Sequence, residues 1–468
     1  MMVRVYSPIM PYQHRRAGRC GRVPGLFFVL AGLVWTPAPA AAEDWPEWRG
    51  AGRLGIWHET GIIERFPTGG LRAAWRAPVR SGYAGPAVAD GRVFVLDWQE
   101  DPESRTLDGT ERALALDEET GELLWTHEWT TSYRMQMATY AIGPRATPTV
   151  DGDRVYVVGA TGHLWCLDTA SGRVIWHKDF VAEYGTSVPT WGTTSAPLVD
   201  GERLITVVGG EPDALVMAFD KRTGDELWRS LDVTTEMGYA QPVIYEAGGA
   251  RQLIIWHPTA LVSLDPETGA VYWQKPWDVY AGMTVATPIR SDDYLFVTQL
   301  YGGSLMMRLD NDGPDADVLW QRQGRSELPG ETDAIHAMIT TPLILGDYVY
   351  GVDSYGEFRG LSARTGDRLW MSREVTVQNR WGTVFMVQHG DRFFVNNEEG
   401  DLIIAQFTPE GYVELDRTPL IEPTSAGGHR PNLWRRTVNW SHPAYANGHI
   451  LQRNDRELIR VSLTAADY

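Results

Sequence analysis

The side chains with the clearest capacity for binding chemistry are arginine, histidine, tyrosine and tryptophan residues in the segments between two recurring motifs. Guanidinium and imidazolium groups bind carboxylates and phosphates, and aromatic rings bind apolar or cationic groups. We therefore predict a ligand site from ten residues: Arg145, Trp191, Tyr239, His336, Arg380, Trp381, His429, Arg430, Arg435 and Trp440. Internal ion pairs and packed rings are the structural alternative for the same residue types.

One stretch within this set is basic although the chain as a whole is acidic. Four of the eight residues in 429–436 are basic, namely His429, Arg430, Arg435 and Arg436. An anionic ligand would suit such a cluster, and so would a fixed internal ion pair. Both interpretations stay open.

Signatures of common catalytic centres are absent from the sequence of residues 43–468. It contains no G-x-S-x-G nucleophile turn and no phosphate-binding loop. The histidines are scattered without the paired spacing of a zinc site, so we expect no metal. The cysteine of this region, Cys166, lies in the strand-like stretch LWCLD, where we expect a packed thiol.

A decapeptide that recurs five times must position these candidates. Its copies are LDEETGELLW, LDTASGRVIW, FDKRTGDELW, LDPETGAVYW and LSARTGDRLW. The Asp accepts hydrogen bonds from the following backbone amides, the Gly takes a positive φ, and the Trp buries about 200 Å² against a neighbouring element. We expect structural docking roles for Trp75, Trp125, Trp176, Trp228, Trp273, Trp320, Trp370, Asp117, Asp168, Asp220, Asp265, Gly121, Gly172, Gly224, Gly269 and Gly366.

Before each decapeptide lies an apolar run that starts with Pro and contains a turn dipeptide, as in TPTVDGDRVYVVG. Short β-branched and aromatic runs separated by such turns predict hairpins, so each unit supplies four strands. The docking Trp recurs at intervals of 45 to 52 residues, which suits a four-stranded antiparallel blade repeated around an axis. Counting a degenerate unit at 382–407, we predict an all-β, eight-bladed β-propeller, with seven blades as the alternative if that unit is an insertion.

The two ends of the sequence predict how the ring closes. The stretch LRAAWRAPV carries Trp75 and has no blade before it, while residues 442–463 supply three strands and no Trp strand. We expect these N-terminal and C-terminal strands to complete one blade, which leaves no unpaired sheet edge at the seam.

The repeated L-D-x-x-T-G-x-x-x-W resembles the tryptophan-docking repeat of the pyrroloquinoline quinone (PQQ) superfamily, over about residues 72–463. The chain is similar to exported PQQ-like repeat proteins of bacteria. The alcohol dehydrogenases of this superfamily hold PQQ between a Trp floor and a disulfide of adjacent cysteines, with calcium bound by Glu, Asn and Asp. The resemblance implies a similar site in this chain. The lone Cys166 cannot form that disulfide. Residues of the calcium-binding types are present without a linking spacing: Glu236, Asp333, Asn379, Asn396 and Asn397.

The N-terminus predicts export. Arginines, the apolar stretch LFFVLAGLVW and a run of alanines ending at Ala42 are typical of a signal peptide, whose export route stays open. Cys20 precedes the apolar stretch, so we expect no lipid anchor. The stretch has only ten residues, well short of the roughly 20 that a spanning helix needs, so we expect no membrane span after the signal is removed. Five of the 42 Lys and Arg residues lie in residues 1–42, so residues 43–468 have 37 basic and 60 acidic side chains. This excess of negative charge disfavours nucleic acid as a partner.

We therefore expect a periplasmic or secreted protein with three parts: a signal peptide (1–42), a segment packing on the propeller (43–71) and the propeller (72–468). Our first hypothesis is a monomeric scaffold that binds a small molecule or an envelope protein, without demonstrable catalysis. The alternatives are a PQQ-dependent oxidoreductase of the alcohol or sugar dehydrogenase type, with its site in the central funnel, and a periplasmic protein similar to the outer-membrane assembly factor.

Overall fold

The computed structural model describes residues 42–137, 140–232, 235–427 and 436–468, which belong to one compact unit. The predicted signal peptide lies outside the described residues up to position 41. Helices are short: α1 (Phe180–Tyr184) and three 3₁₀ turns (Ala51–Arg53, Tyr280–Gly282 and Ala465–Asp467). No helix in the described ranges is long and apolar enough to cross a membrane.

The strands form eight four-stranded antiparallel sheets, each with its strands hydrogen-bonded in chain order apart from the closing sheet. The first strand of the chain, β1 (Ala73–Pro78), belongs to blade 8. Blade 1 contains β2 (Ala87–Ala89), β3 (Arg92–Glu100), β4 (Asp108–Asp117) and β5 (Leu123–Ser132). Blade 2 contains β6 (Thr149–Asp151), β7 (Arg154–Val158), β8 (His163–Asp168) and β9 (Val174–Asp179). Blade 3 contains β10 (Leu198–Asp200), β11 (Arg203–Gly210), β12 (Ala214–Asp220) and β13 (Glu226–Ser230).

Blade 4 contains β14 (Val243–Ala247), β15 (Ala250–His257), β16 (Ala260–Leu264) and β17 (Val271–Pro276). Blade 5 contains β18 (Ile289–Ser291), β19 (Tyr294–Gln299), β20 (Gly303–Leu309) and β21 (Ala316–Arg322). Blade 6 contains β22 (Leu343–Leu345), β23 (Tyr348–Val352), β24 (Phe358–Ser362) and β25 (Arg368–Ser372). Blade 7 contains β26 (Val384–His389), β27 (Arg392–Asn397), β28 (Asp401–Thr408) and β29 (Gly411–Pro419). A small hairpin, β30 (Ser425–Ala426) with β31 (Thr437–Val438), precedes blade 8, whose remaining strands are β32 (Ala444–Ala446), β33 (His449–Arg453) and β34 (Glu457–Ser462).

The ring closes as the sequence predicts. Strand β1 pairs antiparallel with β34, with Trp75 opposite Arg460, and β2 contacts β32 across the seam. The degenerate unit at 382–407 is blade 7, so eight blades are confirmed and the alternative of seven is wrong. The two strands that meet at the seam, β1 and β34, are therefore hydrogen-bonded to each other.

Hydrophobic clusters lie between neighbouring blades, and the docking tryptophans join them. Six indole N–H groups donate to a backbone carbonyl in the turn of the next blade: Trp75 to Glu118, Trp125 to Thr169, Trp176 to Lys221, Trp228 to Pro266, Trp320 to Ala363 and Trp370 to Thr408. Trp273 differs, because its indole donates to the Gln252 side chain of its own blade at 2.8 Å. In each outer strand that carries a docking Trp, the pairing register shifts at or next to that Trp. The shift is a β-bulge, which re-aims the indole toward the next blade.

Residues 45–57 cross the inner strands from blade 1 to blade 7. The Trp45 amide and carbonyl bond to Val88, and the Trp57 amide donates to the Gln388 carbonyl at 2.8 Å. Between these two contacts, the Arg53 guanidinium donates to the carbonyls of Pro197 and Pro242, where the inner strands of blades 3 and 4 begin. These contacts reach blades on opposite sides of the ring, so the segment spans its axis.

Candidate functional site

Eight residues, one from each blade, surround a cavity of about 130 Å³ on the axis. In seven blades each lies three residues before the Pro that immediately precedes the inner strand, and in blade 7 it lies three residues before Val384, the first residue of β26. In blade order they are Tyr83, Arg145, Thr194, Tyr239, Val285, Ile339, Trp381 and Trp440. We call this space the chamber. It opens toward the face that carries the joins between successive blades, which we call the funnel face.

The chamber has a polar and an apolar half. Blades 1 to 4 contribute two tyrosines, a threonine and Arg145, whereas blades 5 to 8 contribute Val285, Ile339, Trp381 and Trp440. Such a division orients an amphipathic ligand, since its polar end and its apolar body find different walls.

The floor of the chamber includes a neutral histidine and a tryptophan from the N-terminal segment. The His442 ring lies 5.2 Å from the Trp48 ring and 3.9 Å from the Phe385 ring, measured between centroids. Burial, together with the nearby Arg49 guanidinium, lowers the pKa of His442 to about 3. The imidazole is therefore uncharged at neutral pH.

The mouth of the chamber is aromatic. The Tyr140 ring contacts those of Trp191 and Trp381 edge-on, at centroid distances of 5.2 and 4.5 Å. Trp381 in turn lies 6.5 Å from Trp440. Its backbone has a φ of 64°, a left-handed conformation that costs a non-glycine residue about 1 kcal/mol. Strained residues of this kind concentrate at functional sites.

Arg145 is the cation of the chamber and is 8% exposed. Its Nε donates to the Tyr83 hydroxyl, and its Nη atoms donate to the carbonyls of Gly143 and Ala141 at 3.3 and 3.1 Å. The guanidinium also stacks on the Tyr83 ring, 4.6 Å from its centroid. Burial lowers the pKa of Arg145 to about 9, which leaves it charged at neutral pH.

A second, larger cavity of about 550 Å³ adjoins the chamber at Trp191, which lines both. Its acidic wall contains Glu236 and Asp278. Glu236 accepts hydrogen bonds from the hydroxyls of Thr190 and Tyr239, so it is held in place by polar partners.

The structure brings five of the ten predicted residues together around the chamber and its mouth: Arg145, Trp191, Tyr239, Trp381 and Trp440. His336 lies elsewhere, fully buried beside blade 5, with Nδ1 at 2.9 Å from the Leu300 carbonyl oxygen. Arg380 lies outside the cavity lining, where it pairs with Glu327 at 2.8 Å and with the Tyr301 hydroxyl at 3.2 Å.

The basic cluster lies largely outside the described residues, as His429, Arg430 and Arg435 all fall there. Its described member, Arg436, donates to both carboxylate oxygens of Glu398 at 2.7 and 2.9 Å. Burial raises the pKa of that carboxyl to about 7, even though Arg436 and the Trp440 indole act in the opposite direction. Arg436 therefore has an internal ion pair, the alternative that the sequence left open.

The sequence reasoning missed several lining residues, namely Trp48, Tyr83, Tyr140, Thr194, Gln241, Val285, Met338, Ile339, Thr341 and His442 as a site member. A positional signal was present for four of these residues. Tyr83, Thr194, Val285 and Ile339 occupy the place three residues before the Pro that leads into an inner strand, as Arg145 and Trp440 do. Selecting that place in every repeat, rather than the chemically conspicuous residues, would have found the whole ring.

The residues present do not fit PQQ and calcium. The chamber of about 130 Å³ is close in size to a cavity of about 150 Å³ that accepts one benzene ring, whereas PQQ is a tricyclic quinone. The calcium-type residues do not converge: Asp333 is exposed, Asn396 accepts a hydrogen bond from the Tyr445 hydroxyl, and the Asn397 amide donates to the Val375 carbonyl. Among the described residues no group of three His, Cys, Asp or Glu could hold a metal ion. Cys166 is buried in β8, and burial raises the pKa of its thiol to about 12.

Comparisons with known proteins agree with the PQQ-like repeat identified in the sequence. The model of the family PQQ_2, described as outer membrane protein assembly factor BamB, matches residues 67–139, 109–372 and 282–417. The outer membrane protein assembly factor BamB of Yersinia pestis is 22% identical over 302 residues, 60% of this chain and 70% of that protein.

Two solved structures share the fold. The crystal structure of BamB from Moraxella catarrhalis superimposes with a TM-score of 0.52 at 15% identity, covering 84% of this chain and 97% of that one. Quinohemoprotein alcohol dehydrogenase from Comamonas testosteroni gives 0.58 at 14% identity, covering 90% and 80%. The resemblance to PQQ-like propellers is thereby confirmed, and at these identities the two structures are evidence of fold alone.

Proposed function

This chain belongs to the PQQ-like repeat family of the outer membrane protein assembly factor BamB, and from that membership we propose that it is an exported, non-catalytic scaffold of the cell envelope. In this proposal residues 1–42 direct export, residues 43–71 pack on the ring, and residues 72–468 form the propeller. The mature protein is periplasmic or secreted and binds an envelope protein on its funnel face.

The observation that carries the docking proposal is the apolar rim of that face. Met135, in the join between blades 1 and 2, is 71% exposed, and Tyr280, in the join between blades 4 and 5, is 70% exposed. The outer cavity lies between them, lined by Met137 and Ala281. The Tyr280 ring contacts the Tyr301 ring edge-on, with 5.0 Å between the ring centroids, so Tyr301 extends the apolar rim. Large apolar side chains exposed around a cavity are typical of interaction sites, and methionine adapts to varied partners.

Site-specific photo-cross-linking in the native cell tests the docking proposal. A photoreactive phenylalanine analogue at Tyr280 should give an adduct with an envelope protein that itself carries an export signal. The matched control is Val413, which is 46% exposed on the outer strand of blade 7, away from the rim. Equal adducts from both positions, or none from Tyr280, would contradict docking on the funnel face.

The fold shared with quinohemoprotein alcohol dehydrogenase supports the oxidoreductase alternative, but the residues that line the chamber do not fit PQQ. Purified protein incubated with PQQ and Ca²⁺ is expected to leave a redox dye unreduced when alcohols or sugars are added. Dye reduction that depends on PQQ would replace the scaffold proposal with a quinoprotein dehydrogenase.

A further inference from the structure

Arg145 is a buried cation that no acidic side chain of the chain balances. All 60 Asp and Glu residues lie within the described ranges, and none of them comes within 4.0 Å of the Arg145 guanidinium. Two other buried arginines have acidic partners: Arg53 pairs with Glu47 at 2.8 Å, and Arg359 with Asp353 at 2.7 Å. Arg453 instead donates to backbone carbonyls, while Asp97 and Asp455 lie near enough to act on its pKa. An unpaired buried charge is costly, so a buried guanidinium that lines a cavity without an acidic partner is a candidate to bind an anion.

A second buried cation adds to the positive potential of the chamber. Arg49 is 8% exposed, donates to the Leu54 carbonyl at 3.2 Å, and has no acidic partner among the described residues. It lies close enough to His442, in the chamber floor, to contribute to the low pKa of that imidazole. No carboxylate is found among the residues that line the chamber, so Arg145 is the charged side chain of its lining.

The hydrogen-bond inventory of Arg145 leaves capacity for a ligand. A guanidinium has five N–H groups, and three are used by the Tyr83 hydroxyl and the carbonyls of Gly143 and Ala141. The remaining two, one on each Nη atom, are available for hydrogen bonds to a ligand carboxylate.

The opposite half of the chamber defines the rest of the ligand. Its walls are Val285, Ile339, Trp381 and Trp440, which offer apolar surface and flat rings. A cavity of about 150 Å³ accepts benzene, so a space of about 130 Å³ suits an apolar body of nearly that size. The strained backbone of Trp381 holds one of these rings at the mouth.

We propose that the chamber binds a small carboxylate with a flat apolar body, with the carboxylate on Arg145 and the body against Trp381 and Trp440. Trp191 lines both the chamber and the outer cavity, so its ring separates the proposed ligand from the acidic wall at Glu236. This site is separate from the apolar rim proposed for protein docking, so either assignment stands if the other fails.

Benzoate is the probe that tests the charge requirement. Titration of the purified protein at pH 7, followed by calorimetry and tryptophan fluorescence, should give saturable binding of sodium benzoate. Benzyl alcohol has nearly the same size without the charge, and it should bind at least about tenfold more weakly because it lacks the ionic hydrogen bonds. Sodium chloride at matched concentration controls for non-specific anion effects. Equal affinity for benzoate and benzyl alcohol, or no benzoate binding, would overturn the proposal.

Variants test whether Arg145 is the group responsible. Arg145→Gln should weaken benzoate binding at least about tenfold and leave benzyl alcohol binding unchanged. The control, Arg222→Gln, removes an exposed arginine that pairs with Glu202 and should bind benzoate like the wild type. If Arg145→Gln fails to fold, Ile339→Trp, which fills the apolar half, should abolish benzoate binding instead. Unchanged benzoate affinity in the folded variant would refute the assignment.

Discussion

At the scale of single residues, His442 shows how the chamber floor controls protonation. Its ring lies between Trp48 and Phe385, and the charged group that faces it is the Arg49 guanidinium. Both burial and this cation disfavour the imidazolium, which gives the pKa of about 3. In the unfolded chain the same histidine titrates near 6.5. Between these two values the unfolded state binds the extra proton.

The stability contributed by a neutral His442 is therefore fully present above about pH 6.5 and is lost as the pH falls toward 3. Wild-type protein should lose about 2 kcal/mol more unfolding free energy than His442→Gln when the pH is lowered from 7 to 5. Urea unfolding at both pH values measures this difference. The raised pKa of Glu398 acts in the opposite sense in both proteins, so it cancels in the comparison. Identical pH dependence in the two proteins would contradict a neutral buried His442.

At the scale of elements, the glycine of the decapeptide has a role that its turn conformation alone does not explain. Gly172 has a φ of 69°, and a Cβ placed on it would lie 2.6 Å from the Trp125 ring of the preceding blade. Four further copies repeat this contact at 2.6–2.8 Å: Gly121 on Trp75, Gly224 on Trp176, Gly269 on Trp228 and Gly366 on Trp320. The glycine is thus both a turn residue and the surface on which an indole ring docks.

Two alanine substitutions in blade 2 separate these roles. Gly152 has a φ of 57° in the turn between β6 and β7, with no atom within 4 Å of an added Cβ. Gly152→Ala should cost about 1 kcal/mol of unfolding free energy from backbone strain alone. Gly172→Ala should cost about 3 kcal/mol, because displacement of the Trp125 ring adds an overpacking penalty. Urea unfolding of both variants measures the two costs, and equal costs would argue against docking on the glycine.

The repeat made the blades predictable, because every copy carries its own turn, strand and docking signals. The decapeptide and the Pro-led runs gave the count of eight and the closure through β1, including the degenerate blade 7. The site was less predictable, because side-chain direction within a join depends on tertiary packing. His336 lies in a join like Tyr239, yet its ring turns into the core toward the Leu300 carbonyl. Trp48 reaches the chamber from a segment that no repeat describes.

At the scale of the whole molecule, the chamber depends on a segment outside the repeat. Residues 45–57 span the axis, and Trp48 contributes to the chamber floor. Arg53 anchors this segment, since its Nη atoms reach the carbonyls of Pro197 and Pro242 at 2.5 and 2.9 Å while Nε pairs with Glu47. The ring supplies the walls and the segment supplies the base, so loss of the anchor should open the chamber and leave the blades intact.

Arg53→Ala should therefore lower the unfolding free energy by about 3 kcal/mol, because it leaves Glu47 without its ion-pair partner and removes a donor from the carbonyls of Pro197 and Pro242. It should also raise the quenching of tryptophan fluorescence by acrylamide, since the floor at Trp48 loosens, while the far-ultraviolet circular dichroism of the sheets persists. Arg65→Ala is the matched control, because Arg65 lies C-terminal to residues 45–57, before the first strand, and donates to the Leu415 carbonyl at an exposed site. Its effect should stay within about 0.5 kcal/mol. Similar quenching in both variants would mean that the anchor does not control access to the axis.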